Sequence, residues 1–410
     1  MTAIAPSRRP RIALGAMLLV GLLLAWLSIR NAAQALFATV HPAYAEAFWP
    51  ASGDALAGDA HARIVLAGGR VDDTARALIR RALVRAPDTD APLVLAGFAA
   101  SEDGDLGRAS ALMTAAVARN PRNDTARYWL LDHDIRTGRY AAGLAQVGPA
   151  LRLREGTRDS IFALVAGLLD IPAAAPAVRA ALATSPDWRA DFFRVRAAAG
   201  TDPATLAALL RALPLADAET TRIERRAVLY AAVDRGRFAL AHDLWLALLP
   251  AGHRPTTAIY DPDFGLLPGA PPFAWNLQPP EGASAKMIGI GGAEPRTALA
   301  MTYPGSVPAL IAEQYAMIAP GPHRLSLQSR RIGEADGADG AEVVARVRCA
   351  NDDAILAELP LADRPAWTGR SIPVSAPAGC GAVRVQFAGM PGAQLSVARV
   401  QVTAVRLEPR

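Results

Sequence analysis

Catalysis needs side chains that converge, and the sequence offers few such sets. The six histidines, His41, His61, His133, His242, His253 and His323, are dispersed, with no H-x-x-x-H or H-E-x-x-H spacing to hold a metal. There is no G-x-S-x-G elbow, no Walker lysine loop and no nucleotide-type glycine fingerprint after a strand. Gly289-Ile290-Gly291-Gly292 follows a strand pattern and reads as a turn. Asp132-His133-Asp134 groups two carboxylates with an imidazole, but adjacent residues of a helix point to different sides and do not converge on one ion. The chain is therefore read as a non-enzyme with no catalytic residue and no metal site. A glycosidase, whose two carboxylates can lie far apart in the chain, is the hydrolase alternative.

Sugar binding asks for flat aromatics to stack on a pyranose ring, with amides or arginines for its hydroxyls. The candidates are Trp367, Tyr303, Arg370, Trp275 and Gln314, with Tyr315, Asn276 and Gln278 nearby in sequence. Trp367 lies in a loop between Pro365, Ala366, Thr368 and Gly369 and is the one best placed for exposure. Trp275 alternates with Phe273 and Leu277, which reads as a core plug, and Tyr315 sits in an apolar strand. No cofactor is expected. Structural calcium at Asp261-Pro262-Asp263 or Asn351-Asp352-Asp353 is the lesser alternative to plain acidic turns.

The elements that position these residues fall into a helical half and a strand half. Pro87 and Pro121 are 34 residues apart, and the same interval joins Ala75 to Ala109, Ala82 to Ala116, Gly104 to Gly138, Leu106 to Tyr140 and Ala116 to Ala150. That period marks a solenoid of helical hairpins. Leu93, Gly97 and Ala100 share a helical face, Gly104 permits a turn, Leu106, Ala109, Met113 and Ala116 form the second helix, and Pro121 closes the unit. The unit resembles the tetratricopeptide repeat, with Leu93 where that family usually has an aromatic. Gly236-Arg237-Phe238 mirrors Gly138-Arg139-Tyr140. Between them, helices are expected over 161–169, 176–184, 188–199 and 203–213, their pairing left open. Such arrays bury one stripe of each helix and leave a groove for a partner; Arg127, Tyr128, Arg136, Arg139 and Arg237 are the candidates to line it.

Beyond Pro250-Ala251-Gly252 the pattern turns to alternation. Leu325-Ser326-Leu327, Ala345 to Cys349 and Val383 to Phe387 alternate apolar and polar residues. Further strands are expected over 286–290, 299–303, 311–318, 355–359, 371–375 and 395–405, with turns at Pro304-Gly305, Pro320-Gly321 and Pro391-Gly392. Short strands at this density imply a sandwich of antiparallel sheets. Pro272-Phe273-Ala274-Trp275-Asn276-Leu277, the strand from Gln314 to Pro320-Gly321 and the closing strand make this half resemble the jelly-roll sandwiches of the carbohydrate-binding-module and galactose-binding-like group.

The ends and the composition set the compartment. Arg8, Arg9 and Arg11 precede an uncharged apolar run, Ile12 to Ile29, which at about 1.5 Å per residue covers roughly 27 Å, a bilayer core. The positive-inside rule keeps the arginines cytoplasmic and sends the rest across. A cleaved signal with Ala33-Gln34-Ala35 at its site is the rival, favoured less because this apolar core is long. The organisation read is a cytoplasmic tail (1–11), an anchor (12–29), a connector (30–55) containing His41-Pro42 and Trp49-Pro50, an all-α solenoid (56–250) and an antiparallel β-sandwich (256–410). The net charge is +5, carried by 42 arginines and one lysine, Lys286, scattered among 38 acids; this is no phosphate-binding stripe, and no nucleic-acid partner is expected.

These features imply a periplasm-facing adaptor on a bacterial inner membrane. Its solenoid would hold a protein partner and its sandwich a polysaccharide or a second protein, in envelope-polysaccharide assembly or export. A scaffold without sugar binding is the alternative. Cys349 and Cys380 suit one bridge in an exported domain, worth about 3–4 kcal/mol if unstrained, against a reduced, buried pair. Thiol labelling of denatured, non-reduced protein should find no free cysteine; two labelled thiols would defeat the bridge.

Overall fold

The computed structural model describes residues 9–40, 52–291, 296–333, 340–361, 364–394 and 396–410. His41-Pro42, Trp49-Pro50, Gly292 and Leu395 lie outside them, as do Arg8 and the side chains of Arg9, Arg11, Gln34 and Ala35. The chain divides into two compact units, Met1–Trp188 and Arg189–Arg410, so the division falls within the helical half.

The first unit opens with helix α1 (Arg9–Val40), of which Ala16–Ala33 is long and apolar enough to cross a membrane, a test that a signal sequence also passes. Helices α2 (Gly53–Leu66), α3 (Asp73–Arg85), α4 (Ala91–Glu102), α5 (Leu106–Arg119) and α6 (Asp124–Arg136) then pack each on the next. Four of them begin on a side-chain cap: Ser52, Asp72, Asp105 and Asn123 each accept from the backbone N–H three residues on. The Ala75 N–H holds the Asp72 carboxyl below its usual range. The period in the sequence is a period in the packing. Ala75, Ala82, Ala109, Ala116 and Ala150 are all 0% exposed, and Gly104 and Gly138 both take φ near +77 at the turn into the next helix. At the turns between hairpins, Asp90 accepts from both Asn120 Nδ2 (2.9 Å) and Asn123 Nδ2 (2.6 Å).

The second helix of the next hairpin departs from the period. It is split into α7 (Tyr140–Leu144) and α8 (Val147–Leu153). Pro149 cannot donate to the carbonyl of Ala145, and Gly148 lets the backbone approach the Trp188 ring. Helices α9 (Arg158–Leu169) and α10 (Ala175–Ala183) complete the unit close to the ranges expected.

The second unit begins with α11 (Arg189–Ala198), α12 (Pro203–Ala212), α13 (Ala218–Asp234) and α14 (Phe238–Leu246). Arg189 and Glu224, each 2% exposed at the side chain, form a buried ion pair between α11 and α13, with Nε–Oε1 at 2.7 Å and a hydrogen bond from Nη2 to Oε2 at 3.2 Å. Burial pushes the Glu224 carboxyl up, and the guanidinium opposes it.

The sandwich follows as two five-stranded antiparallel sheets. The strands are β1 (Asn276–Leu277), β2 (Ser284–Ile290), β3 (Arg296–Tyr303), β4 (Ala309–Met317), β5 (Gly321–Arg331), β6 (Glu342–Cys349), β7 (Ile355–Pro360), β8 (Thr368–Ala376), β9 (Ala382–Met390) and β10 (Ala398–Pro409). The first sheet runs β1-β4-β9-β6-β7 and the second β2-β3-β10-β5-β8. Between them lies a core that includes Leu299, Leu325, Val347, Val385, Phe387 and Val402. Cys349, ending β6, is joined to Cys380 in the turn before β9 by a disulfide, with Cα atoms 5.7 Å apart. The helical hairpin α13–α14 packs on the first sheet through Leu229, Trp245, Tyr260 and Phe273, with Tyr315 and Met317 of β4 against them.

Replacing Arg189 with methionine should strand the Glu224 carboxylate in the core and cost about 3–5 kcal/mol, whereas Arg189→Met with Glu224→Leu should recover most of the loss. Urea denaturation of the two variants measures both, and a single variant as stable as the parent would refute the account.

Candidate functional site

The outer face of the second sheet is set by alternation along β5. His323, Leu325, Leu327 and Ser329 turn into the core, which leaves Arg324, Ser326, Gln328 and Arg330 outside. The antiparallel register extends the Arg330 position into a row across the sheet. Arg330 lies opposite Gln401 of β10, Gln401 opposite Ala300 of β3, and Ala300 opposite Lys286 of β2. On the other side Thr368 pairs with Ser329, so Trp367, one residue earlier, falls beside Arg330. The side chains follow the register: the Arg330 guanidinium lies 4.8 Å from the Trp367 ring centroid, and its Nε donates to Gln401 Oε1 at 2.9 Å. Thr302 and Arg399, paired with each other, form the next row. Trp367 is half-buried, so ring surface remains accessible beside donors and acceptors in the plane of the sheet.

The other sugar-binding candidates are not on this face. Tyr303 is 1% exposed, its OH donates to the Val307 carbonyl at 2.6 Å, and its ring lies against Gly389, where an added Cβ would fall 2.4 Å from the ring. Trp275 is 7% exposed, stacks on Phe387 at 5.5 Å and donates its Nε1 to the Asp261 carbonyl. Gln314 is 0% exposed and donates Nε2 to the carbonyls of Tyr260 and Phe273. These three are core residues, and the expectation that they contact glycan is corrected: their flat or amide groups fill the sandwich interior. Arg370 is opposite the inward-facing Leu327, and its Nη1 reaches the Pro360 carbonyl at 3.0 Å, bridging the edges of the two sheets instead of joining Trp367. Tyr315 packs between Phe238 and Phe273. Asn276 pairs with Glu313 in the first sheet, and Gln278 follows β1, exposed.

In the first unit, Arg127 donates to the Pro121 carbonyl and to Gln146, and Tyr128 shares a hydrogen bond with Thr157 Oγ1 at 2.8 Å. Arg136 pairs with Asp132 and Arg139 with the buried Asp134, each at 2.6 Å. His133 turns inward and stacks on Trp129 at 4.5 Å, so the Asp132-His133-Asp134 trio diverges. Arg237, in the second unit, is the N-cap residue of α14. Arg127, Tyr128, Arg136 and Arg139 thus belong to the first unit, each with its own partner, and Arg237 belongs to the second.

The acidic turns do not fit calcium. Asp261 accepts from the N–H groups of Gly265 and Leu267, Asp263 pairs with Arg406, and Asp353 pairs with Arg348 and Arg384. Carboxylates committed to arginines and amides are not an oxygen cage.

Two clefts escaped the sequence reading. One of about 320 Å³ lies between α14 and β4, walled by His242, Trp245, Tyr260, Phe273, Tyr315 and Met317. Two of its polar handles are spent: Trp245 Nε1 donates to Ala270 O and Tyr260 OH to Pro268 O. The other, of about 500 Å³ in the first unit, is walled by alanines of α7 and α10 and closed by Trp188, with Arg152 and Asp187 paired at its rim. Arg330, Gln401 and Lys286 were also missed; the polar positions alternating with Leu325 and Leu327 were the available signal, but they do not say which strands lie alongside.

Neither a family model nor a curated protein matches this sequence. Among solved structures, the C-terminal part is similar to carbohydrate-binding-module β-sandwiches. A CBM4 domain is 11% identical at a TM-score of 0.28, covering 37% of this chain and 99% of that one. The CBM22-1 xylan-binding domain from Paenibacillus barcinonensis Xyn10C is 10% identical at 0.24, covering 33% and 84%. The enzymatically active domain of tailspike protein 4 from bacteriophage CBA120 is 12% identical at 0.26; this chain covers 33% of itself and 19% of that chain. Scores this low carry no functional inference.

His133 and His242 both have their proton affinity lowered, chiefly by burial. The unfolded chain therefore binds more protons at these sites, and stability should fall as pH drops through about 6.5. Denaturation at pH 7.5 and 5.5 should show a smaller loss in a His133→Gln, His242→Gln variant than in the parent; an unchanged difference would count against both sites.

Proposed function

We propose that this protein is a non-enzymatic, membrane-anchored adaptor facing the periplasm in envelope or exopolysaccharide assembly or export, and that its sandwich holds glycan on the outer face of the second sheet. The observation that carries the reading is the row Trp367, Arg330, Gln401: an accessible indole held by a guanidinium, beside an amide, on a flat strand surface. The indole offers a stacking surface to the apolar side of a sugar ring. Arginine and glutamine supply the directed hydrogen bonds that hydroxyls need. The same indole on a protein-binding face would serve the scaffold reading, and the experiment separates the two.

The helical hairpins are tetratricopeptide-like and receive a protein partner. Support comes from the alanine-walled cleft between α7 and α10, whose small side chains admit close approach of another backbone. The anchor is α1, with its arginines cytoplasmic, as the charge asymmetry of its ends implies. Alkaline phosphatase fused after Arg410 should then be active and a fluorescent protein there dark; the reverse pattern would overturn the topology.

The full chain in detergent micelles should bind at least one of a panel of neutral and acidic polysaccharides, and Trp367→Ala should weaken that binding at least about tenfold with its melting unchanged. A folded parent that binds no glycan would leave the scaffold reading in its place.

A further inference from the structure

The charge on the Trp367 face suggests which kind of glycan fits. Along the row, Lys286 is exposed on β2 and Arg330 stands three strands away, roughly 14 Å at the usual strand spacing. Arg399, exposed in the adjoining row opposite Thr302, adds a third cation. The partners of Arg330 are neutral, an indole and an amide, so its charge is not cancelled where it sits. Among the described residues neither Lys286 nor Arg399 is in an ion pair. Among the described residues, the carboxylates on the same sheet are found at its other end. Glu408 lies opposite Arg324, and Asp263 pairs with Arg406 beyond the irregularity of β10 between Thr403 and Arg406. Glu408 is seven residues along β10 from Gln401, about 23 Å at the rise of a strand and more than a Debye length away. The outer face of the first sheet is different. There Arg346 is paired with Glu358, Arg348 and Arg384 are both paired with Asp353, and Gln386 donates to Glu313.

We infer that the Trp367 face takes an acidic polysaccharide, whose rings stack on the indole and whose carboxylates lie against Arg330, Arg399 and Lys286. The inference rests on the glycan reading above and narrows it to an anionic class. A neutral glycan would leave three cations facing water with nothing to gain, whereas a uronate-bearing chain gains charge-assisted hydrogen bonds at each. Exposed cations also collect a polyanion from a distance, an effect that salt removes.

The test uses the full chain in detergent micelles and four probes: alginate as acidic glycan, dextran and xylan as neutral glycans, and polyglutamate as an anionic polymer without sugar. Alginate should bind most tightly, and its affinity should fall at least about tenfold between 50 and 500 mM NaCl. The double variant Lys286→Gln, Arg399→Gln, both at exposed positions, should lose a similar factor on alginate while its thermal midpoint stays at the parent value. Trp367→Ala should weaken alginate binding at least about tenfold and leave polyglutamate binding as it was. Neutral glycans binding as tightly as alginate, with no loss in the double variant, would overturn the anionic class and leave the glycan reading standing. Polyglutamate binding as tightly as alginate, with both indifferent to Trp367→Ala, would reduce the face to a bare electrostatic surface and overturn the inference. Failure of every polymer to bind folded protein would overturn this inference and the glycan reading together.

Discussion

The cross-strand register of the second sheet is the constraint from which the candidate site follows. Side chains alternate along a strand with a period of two, so a slip of one residue in any pairing would send the whole outer set into the core. Burial of Leu325, Leu327, Leu299, Met301, Val400 and Val402 makes such a slip costly. Once those residues are inside, Arg330, Gln401, Ala300 and Lys286 have no choice but to line up outside, and the Thr368–Ser329 pair brings Trp367 to the end of the row. The hydrogen bond and the cation–π contact then follow from proximity that the apolar core has imposed.

The same core explains why most aromatics are spent on stability. Trp275, Phe264 and Phe387 fill the middle of the sandwich, and Tyr303 occupies the space a side chain at Gly389 would need. A second aromatic cluster, Trp245, Tyr260, Phe273 and Tyr315, is used to seat the α13–α14 hairpin on the first sheet. That outer sheet face is thereby partly covered and its arginines are matched with carboxylates, while the outer face of the second sheet keeps its cations. The two faces of one sandwich thus differ in what remains to be offered to a ligand.

In the first unit, close packing rests on the smallest side chains. Alanines at positions 75, 82, 109 and 116 let successive helices approach until nothing of the alanine is exposed, and the αL glycines at 104 and 138 set where each hairpin turns. The array keeps this rule until Pro149 removes a helical hydrogen bond and the helix divides, which opens the alanine-walled cleft beside Trp188.

The sequence by itself determined the elements. Period 34 located the hairpins, alternation located nine of the ten strands, the apolar run located α1, and the count of cysteines anticipated the Cys349–Cys380 bridge. Those signals are local, because helix and strand periodicity are written into successive residues. Whether Trp367 or Tyr303 faces water was not legible in that way. Both are aromatic residues at strand ends, and their fates are decided by distant partners, Arg330 in one case and Gly389 in the other. The boundary between the compact units, at Trp188 and Arg189, also had no local mark, since helices lie on both sides of it. Tertiary structure decided these points because burial depends on which distant strands and helices pack together, and single-chain periodicity carries no record of that choice.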